Sequence, residues 1–269
     1  MVTTVQAQDL TQTIQQIYGY QISNYDLGFL QRGLIRFGVV QKTQDYDVIK
    51  KLLLEDETLI KSYLDLLFIN VSEMFRDPSV FYVLRTEIIP YIASYPVIKI
   101  WSAGCAYGQE IYSLAIILSE LGLYDRCVLY ATDIDFDAVD RAHLGRYPIK
   151  ETLKYFENYY LSGGSQRVSE YFTMEGDFMV VKPNLRRNIC FACHNVATDS
   201  AFNEFSLVLC RNLLIYFDHQ LQQRVLKLFH DSMTTNSFLV LGKFEALNNN
   251  AGYQYFNNYK LKERIFRHL

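Results

Sequence analysis

From about residue 9 to residue 75 the apolar side chains recur at i, i+3, i+4 and i+7. That spacing predicts amphipathic helices in "DLTQTIQQIY", "YDLGFLQRGLIRFGVV" and "DYDVIKKLLLEDETLIKSYLDLLF". Asp26 and Asp45 stand where a carboxylate caps the open N–H groups of a first turn, and "VQKTQ" reads as a connector between them. "PSVFYVLRTEIIPYIASY" predicts one more helix, with Pro78 in its first turn. After Pro96 the period changes. "VIKIWSAG" is an apolar run of strand length, and "QEIYSLAIILSELG" is a helix closed by Gly122. "CVLYATDID" and "FDAVDRAHLG" repeat the strand-then-helix pattern. "NICFACHN", "FSLVLCRN", the helix "DHQLQQRVLKLFHDSM" and the strand "SFLVLGKF" continue it. Such alternation predicts an α/β domain with a parallel sheet covered on both faces. "YQYFNNYKLKERIFRHL" has β-type composition and is expected to supply closing antiparallel strands.

Residues 151–187 interrupt the alternation. They hold Gly163–Gly164, a second turn near Gly176, and aromatic and β-branched runs, which predict a small antiparallel β insert. The expected organisation is a helical N-terminal domain over 1–75 and an α/β domain over 76–269 that carries this insert.

Composition narrows the class. The 269 residues are 50% hydrophobic and 20% charged, enough apolar side chains for one or two packed cores. A formal net charge of −3 gives no global attraction for nucleic acid, and none is expected as a partner. No apolar run approaches the ~18 residues of a membrane span. The opening "MVTTVQAQDLTQ" lacks a basic region followed by an apolar core, so a cytoplasmic location without membrane insertion is expected. Five scattered cysteines fit that compartment and read as small buried hydrophobes. "CFACH" at 190–194 matches the c-type haem attachment pattern, yet it lies inside a run of strand composition. A buried strand is therefore expected there, and no metal or haem.

The candidate chemistry lies at strand ends. Between the first strand and its helix runs Gly104-x-x-x-Gly108, without the lysine of a phosphate-cradling loop and without the G-x-G-x-x-G dinucleotide fingerprint. A nucleoside with a small charged tail suits that turn better than a phosphate. Asp133 closes the second strand, where an acid accepts hydrogen bonds from a ribose diol. It could instead cap the next helix, a role Asp135 fits better. Glu110 adds a second acid in the first turn after the glycines. Asn195 follows "CH", Arg211 and Asn212 follow "FSLVLC", and Tyr216 comes soon after. Ligands bind outside the carboxyl ends of strands in open α/β sheets, so these residues point to one edge.

Taken together, the segments resemble the chemotaxis receptor methyltransferases of the CheR type over nearly the whole chain. "NVSEMFRDPSVF" is similar to the family's Asn-x-Thr-x-Phe-Phe-Arg segment, with Asn70, Ser72 and Arg76 on the matching positions. "WSAGCAYGQEIYSLA" resembles the cofactor-turn motif and puts Glu110 on its cofactor-contacting acid. "ATDID" puts Asp133 on the ribose. "HNVA" matches at Asn195 and Val196, and "VLCRNLLIYFD" at Arg211, Asn212 and Tyr216. Ser72 for Thr, Met74 for an aromatic, Tyr107 for Thr and Ile111 for Pro are the departures. The resemblance implies a Rossmann-like fold and S-adenosylmethionine as cofactor, with S-adenosylhomocysteine as product. It implies methyl transfer to glutamate carboxylates of a chemoreceptor cytoplasmic domain, by a monomer. The β insert falls where the family carries its small β-subdomain. Some members bind a tethering peptide there, but "LSGGSQRV" departs from their Gly-x-Gly turn.

The helical N-terminal domain, with "LQRGLIRF", resembles the family's receptor-docking domain; Arg32 and Arg36 share one helical face there, with Lys42 beyond. That face is either a docking surface for an acidic helix bundle or an ordinary solvated surface. For the chemistry, Arg76 and Tyr216 are expected to flank the transferring methyl and orient the carboxylate, with Arg211 and Asn212 shaping the cofactor pocket. Arg76→Ala and Tyr216→Phe are each predicted to slow methyl transfer. Wild-type rates in both variants, measured with labelled cofactor, would refute the assignment.

Overall fold

A computed structural model describes residues 2–20, 22–68, 72–247 and 250–269. The chain divides into two compact units: Met1–Ile69 with Leu214–Arg224, and Asn70–Leu213 with Val225–Leu269.

The first unit is helical. α1 (Thr4–Tyr18) opens on a capping box between Thr3 and Gln6 and ends at Gly19, whose φ of 80° suits a residue without Cβ. Asp26 caps α2 (Leu27–Val40) by accepting from Phe29 N–H at 2.8 Å, and Asp45 caps α3 (Tyr46–Glu55). The apolar run over 45–68 is two helices. Asp56 breaks it, because its carboxylate accepts from Thr58 N–H at 2.9 Å and so caps α4 (Glu57–Leu67). Leu30, Leu34, Phe37, Ile49, Leu53, Ile60, Tyr63 and Leu67 are fully or almost fully buried and form the core of this unit. Gly33 lets α4 approach α2, since a Cβ there would lie 2.5 Å from Leu67 Cδ1. Leu214–Arg224 joins through an antiparallel bridge between Tyr25 and Phe217 and through Asp26 N–H donating to Tyr216 O at 2.8 Å.

The second unit begins with α5 (Pro78–Val83), a π turn over Leu84–Ile88, and α6 (Ile89–Ile92). The widened turn comes just before Pro90, which has no N–H to give to the preceding turn. In chain order there follow β1 (Ile98–Ala103), α7 (Gln109–Glu120), β2 (Cys127–Asp133), α8 (Phe136–Leu144), β3 (Arg146–Pro148) and α9 (Ile149–Leu161). Next come β4 (Phe172–Glu175), β5 (Phe178–Val181), α10 (Pro183–Arg186), β6 (Ile189–Cys193), β7 (Phe205–Cys210) and α11 (His219–Asp231), whose residues up to Arg224 count with the first unit. The chain closes with β8 (Met233–Leu241), α12 (Asn250–Tyr253), β9 (Phe256–Lys260) and β10 (Ile265–His268).

Seven strands form one sheet in the order β6-β2-β1-β7-β8-β10-β9. The pairs from β6 through β8 are parallel; β10 runs antiparallel to both β8 and β9, as the terminal strands were expected to do. This is the parallel α/β sheet that the alternation predicts and the Rossmann-like fold that the resemblance implies. The order reverses between β1 and β7, which leaves a crevice at their carboxyl ends. β7 is buried along its whole length.

A second sheet, β3-β5-β4, is antiparallel. Its first strand lies at 146–148, and α9 fills much of the stretch read as β-rich. Gly163–Gly164 closes α9 rather than a hairpin: Gly164 N–H donates to Tyr159 O at 3.0 Å. Gly176, φ 59°, is the hairpin turn between β4 and β5. "CFACH" begins on β6, a strand as its composition indicated, but an edge strand rather than the buried one expected. Cys190 and Cys193 are exposed there, whereas Cys105, Cys127 and Cys210 are buried. An edge strand has only one sheet neighbour to cover its side chains, which corrects the expectation that all the cysteines are interior.

Candidate active site

The site is built at the carboxyl ends of β1, β2, β6 and β7. After Ala103 the chain turns through Gly104, Ala106 and Gly108, with φ of 76°, 46° and 84°. Gly104 and Cys105 N–H both donate to Thr132 O, at 2.8 and 2.9 Å, which fastens the turn to β2. The need for glycine here is not an open space for ligand. A Cβ on Gly104 would lie 3.0 Å from Leu213 Cδ2, and one on Gly108 would lie 3.0 Å from Ala142 Cβ. Left-handed backbone and close packing together exclude a side chain.

Asp133 lies inside this turn, 8% exposed. It accepts from Ala106 N–H at 2.8 Å and from Asp135 N–H at 3.1 Å, while Asp135 caps α8. Burial raises the Asp133 carboxyl above the ordinary carboxylate range, and the two N–H donors act against that shift. Asp133 is thus a buried acid fixed by N–H groups of the turn, with the capping duty left to its neighbour.

Glu110 and Arg211 form the second feature. Glu110 accepts from Ser102 Oγ at 2.8 Å and from Arg211 Nη1 at 3.1 Å. The Arg211 side chain, 3% exposed, also donates from Nη2 to Asp77 Oδ2 at 2.7 Å and to the Arg76 carbonyl at 2.8 Å. Its guanidinium lies 5.5 Å from the Phe81 ring centroid. Breaking such a buried ion pair by removing one partner costs about 3–5 kcal/mol. Asn212, at φ 62°, gives its N–H to Glu245 Oε2 at 2.9 Å, and Gly242 N–H reaches the same oxygen at 2.6 Å.

The structure brings Arg76, Glu110, Arg211 and Asn212 to the β1–β7 crevice. Asp133 stands at the end of β2, and Asn195 and Val196 follow β6. His194 N–H donates to Asp133 O at 3.0 Å, and Asn195 Oδ1 accepts from Ala197 N–H at 3.0 Å in a tight turn beside buried Val196. Ser72 is partly buried on the segment leading to Arg76. Asn70 lies outside the described residues. Tyr216 belongs to the helical unit, where its ring centroid is 4.5 Å from that of Phe29. Tyr107, the bulky departure in the turn, has Arg141 over its ring at 5.4 Å, and its carbonyl accepts from Tyr147 Oη at 2.8 Å.

Sequence reading missed Asp77, Ser102 and Glu245. Asp77 before Pro78 looks like a helix cap, but it makes no cap hydrogen bond and serves Arg211 instead. Glu245 offered one signal, an acid just past the apolar run "SFLVLGKF", and it is 3% exposed.

The profile of the CheR methyltransferase SAM binding domain matches residues 70–264. The chain belongs to the CheR methyltransferase family. Among its relatives is a Pseudomonas putida protein named as a methyltransferase, Cher3, 39% identical over 98% of this chain and 97% of that protein. A chemotaxis protein methyltransferase of Listeria innocua is 29% identical over 90% of each chain. Chemotaxis protein methyltransferase 1 of Pseudomonas aeruginosa is 32% identical over 69% of each.

This CheR-family chain is an S-adenosylmethionine-dependent methyltransferase, and its residues fit that cofactor. Two acids, Glu110 and Asp133, stand at strand ends where a ligand with an ammonium, a sulfonium and a ribose diol needs acceptors. The Arg211 charge is already matched by Glu110 and Asp77, so that guanidinium is committed to them rather than to a phosphate chain. Arg211 Nε is buried with no hydrogen-bond partner, a donor that a bound carboxylate would satisfy. Among the described residues, no cluster of His, Cys, Asp or Glu could hold a metal ion.

Asp133→Asn is predicted to weaken cofactor binding about tenfold or more, since an amide replaces the buried carboxylate at the end of β2. Because burial raises the Asp133 carboxyl, protonation overtakes it at a higher pH than for an ordinary aspartate. Wild-type affinity, measured by calorimetry, therefore falls as the pH is lowered toward the carboxylate range, and the Asn variant lacks this Asp133 contribution.

Proposed function

We propose that this enzyme transfers a methyl group from S-adenosylmethionine to glutamate side chains in the cytoplasmic domain of a chemoreceptor, forming glutamyl methyl esters. Two of the relatives are named chemotaxis protein methyltransferases, which favours a chemotaxis role here. The observation that carries the substrate reading is the turn that presents Arg76. Phe75 and Asp77, on either side of Arg76, are left-handed at φ 54° and 57°. Bulky side chains avoid that region, and strain of about 1–3 kcal/mol per residue persists only where the surroundings hold it. A strained turn that offers a guanidinium beside the cofactor crevice suits an anionic acceptor.

Bound S-adenosylmethionine supplies an electrophilic sulfonium methyl. The acceptor needs no general base, because a glutamate with an ordinary pKa near ~4.3 is already ionised at neutral pH. What remains for the protein is position and the exclusion of water. Arg76 orients the carboxylate without pairing so tightly that its nucleophilicity is lost. Tyr216 is proposed for the same task on the resemblance alone. Glu110 meets the cofactor ammonium, Asp133 the ribose, and Asn195 offers its amide NH2 to the base, since its oxygen is taken by Ala197. Asn70, Ser72, Val196 and Asn212 complete the proposed cofactor contacts.

A cytoplasmic site of action follows from such a substrate. Among the described residues no helix is long and apolar enough to cross a membrane.

The test is incubation with methyl-labelled cofactor and receptor cytoplasmic fragments. Label in the fragments that alkali releases as methanol is the expected result. Label that resists alkali would place the methyl on nitrogen or carbon and contradict the ester reading.

A further inference from the structure

The Arg76 turn is held by side chains that come from three separate places in the chain. Ser113, on α7, is fully buried. Its hydroxyl donates to Gln109 O at 2.7 Å and accepts from Phe75 N–H at 2.9 Å. Asn158, on α9, is 3% exposed. Its Nδ2 donates to Met74 O at 3.2 Å and to Glu73 Oε2 at 3.3 Å. Arg211 supplies the third hold, on the Arg76 carbonyl. Phe75 itself is 2% exposed, edge-on to Phe81 and Tyr159 with centroids 5.4 and 5.3 Å away. Backbone groups of three consecutive residues, 74 to 76, are thus each taken by a different side chain.

The arrangement is more than packing needs. A relaxed turn would satisfy the same backbone groups with water or with neighbouring backbone. Here two left-handed residues are kept, and the one between them is the arginine. Strain of this kind collects where a side chain must be held in one place.

We infer that Ser113 and Asn158 are positioning residues for methyl transfer, fixing the Glu73–Asp77 turn so that Arg76 meets the acceptor at one set place. This rests on the role proposed above for Arg76. Neither residue touches the reacting atoms. Ser113 lies one helical turn beyond Glu110, so α7 carries a cofactor contact and a hold on the acceptor arginine together. Asn158 extends the same control to α9, which lies between β3 and β4 of the small sheet. A change in how α9 sits would be felt at Arg76 through that amide and through Tyr159 against Phe75.

The experiment uses the full chain with Ser113→Ala and Asn158→Ala, each also made in an Arg76→Ala background. Each single variant is expected to lower kcat about tenfold, with the cofactor Kd within about twofold of wild type. In the Arg76→Ala background the further loss should vanish, because the turn then has nothing to position. Ser113→Thr, which keeps the hydroxyl, should restore most of the rate. A second readout needs no acceptor: tryptic cleavage after Arg76 should quicken in both Ala variants and not in the Thr variant. Unchanged kcat and unchanged cleavage would overturn the inference, as would an equal loss in the Arg76→Ala background. If wild-type enzyme labels no receptor carboxylate, the acceptor proposal fails by itself, and cleavage at Arg76 still decides whether these two side chains pin the turn.

Discussion

A buried guanidinium organises this site. Arg211 leaves the end of β7 into an interior that cannot hold a bare charge, so the surroundings must supply acceptors. Glu110 and Asp77 supply charge, and the Arg76 carbonyl supplies a third acceptor. Glu110 is in the first turn of α7, behind the glycine turn, and Asp77 opens α5. One side chain therefore sets the relation among a central strand, the glycine turn and the segment that carries Arg76. The planar fork of arginine can meet several acceptors at once, which a lysine cannot do.

Around that node, local backbone preference is repeatedly overruled. Phe75, Asp77, Ala106 and Asn212 all take positive φ without being glycine, and all four stand in or beside the crevice. Each is held by a specific bond: Phe75 by Ser113, Asp77 by Arg211, Ala106 by Asp133 and Asn212 by Glu245. The acids serve the fold first: Asp133 fixes the turn and Glu110 neutralises Arg211. The ribose and ammonium contacts belong to the function proposed above. A ligand entering this crevice meets acceptors already oriented, so little ordering is left for the moment of binding.

Much of this was legible from residues alone. Strand and helix alternated clearly because β1, β2 and β7 are apolar through nearly their whole length, and Asp26, Asp45 and Asp135 cap helices where the sequence placed them. Asp133 and Arg211 could be singled out because a charge at the end of an apolar strand needs a reason, and Glu110 because it stands in the first helical turn after the glycines. The rest was hidden for physical causes. Asp56 interrupts an apolar period that continues on both sides of it. Gly163–Gly164 can close a helix or turn a hairpin, and only the fold of Tyr159 against it decides. Ser113 is one small polar residue inside a helix face, and Asn158 one amide in a helix rich in tyrosine. Their partners are backbone atoms far away in the chain, which no local pattern records.

The most direct test of this account is Arg211→Lys, read by cofactor calorimetry and by the rate of methyl transfer on the same preparation. The charge survives in that variant and the fork does not. The account predicts that cofactor affinity and transfer rate both fall about tenfold or more while the circular dichroism of the fold is kept. A Lys variant with wild-type affinity and wild-type rate would contradict the claim that the site hangs on this guanidinium.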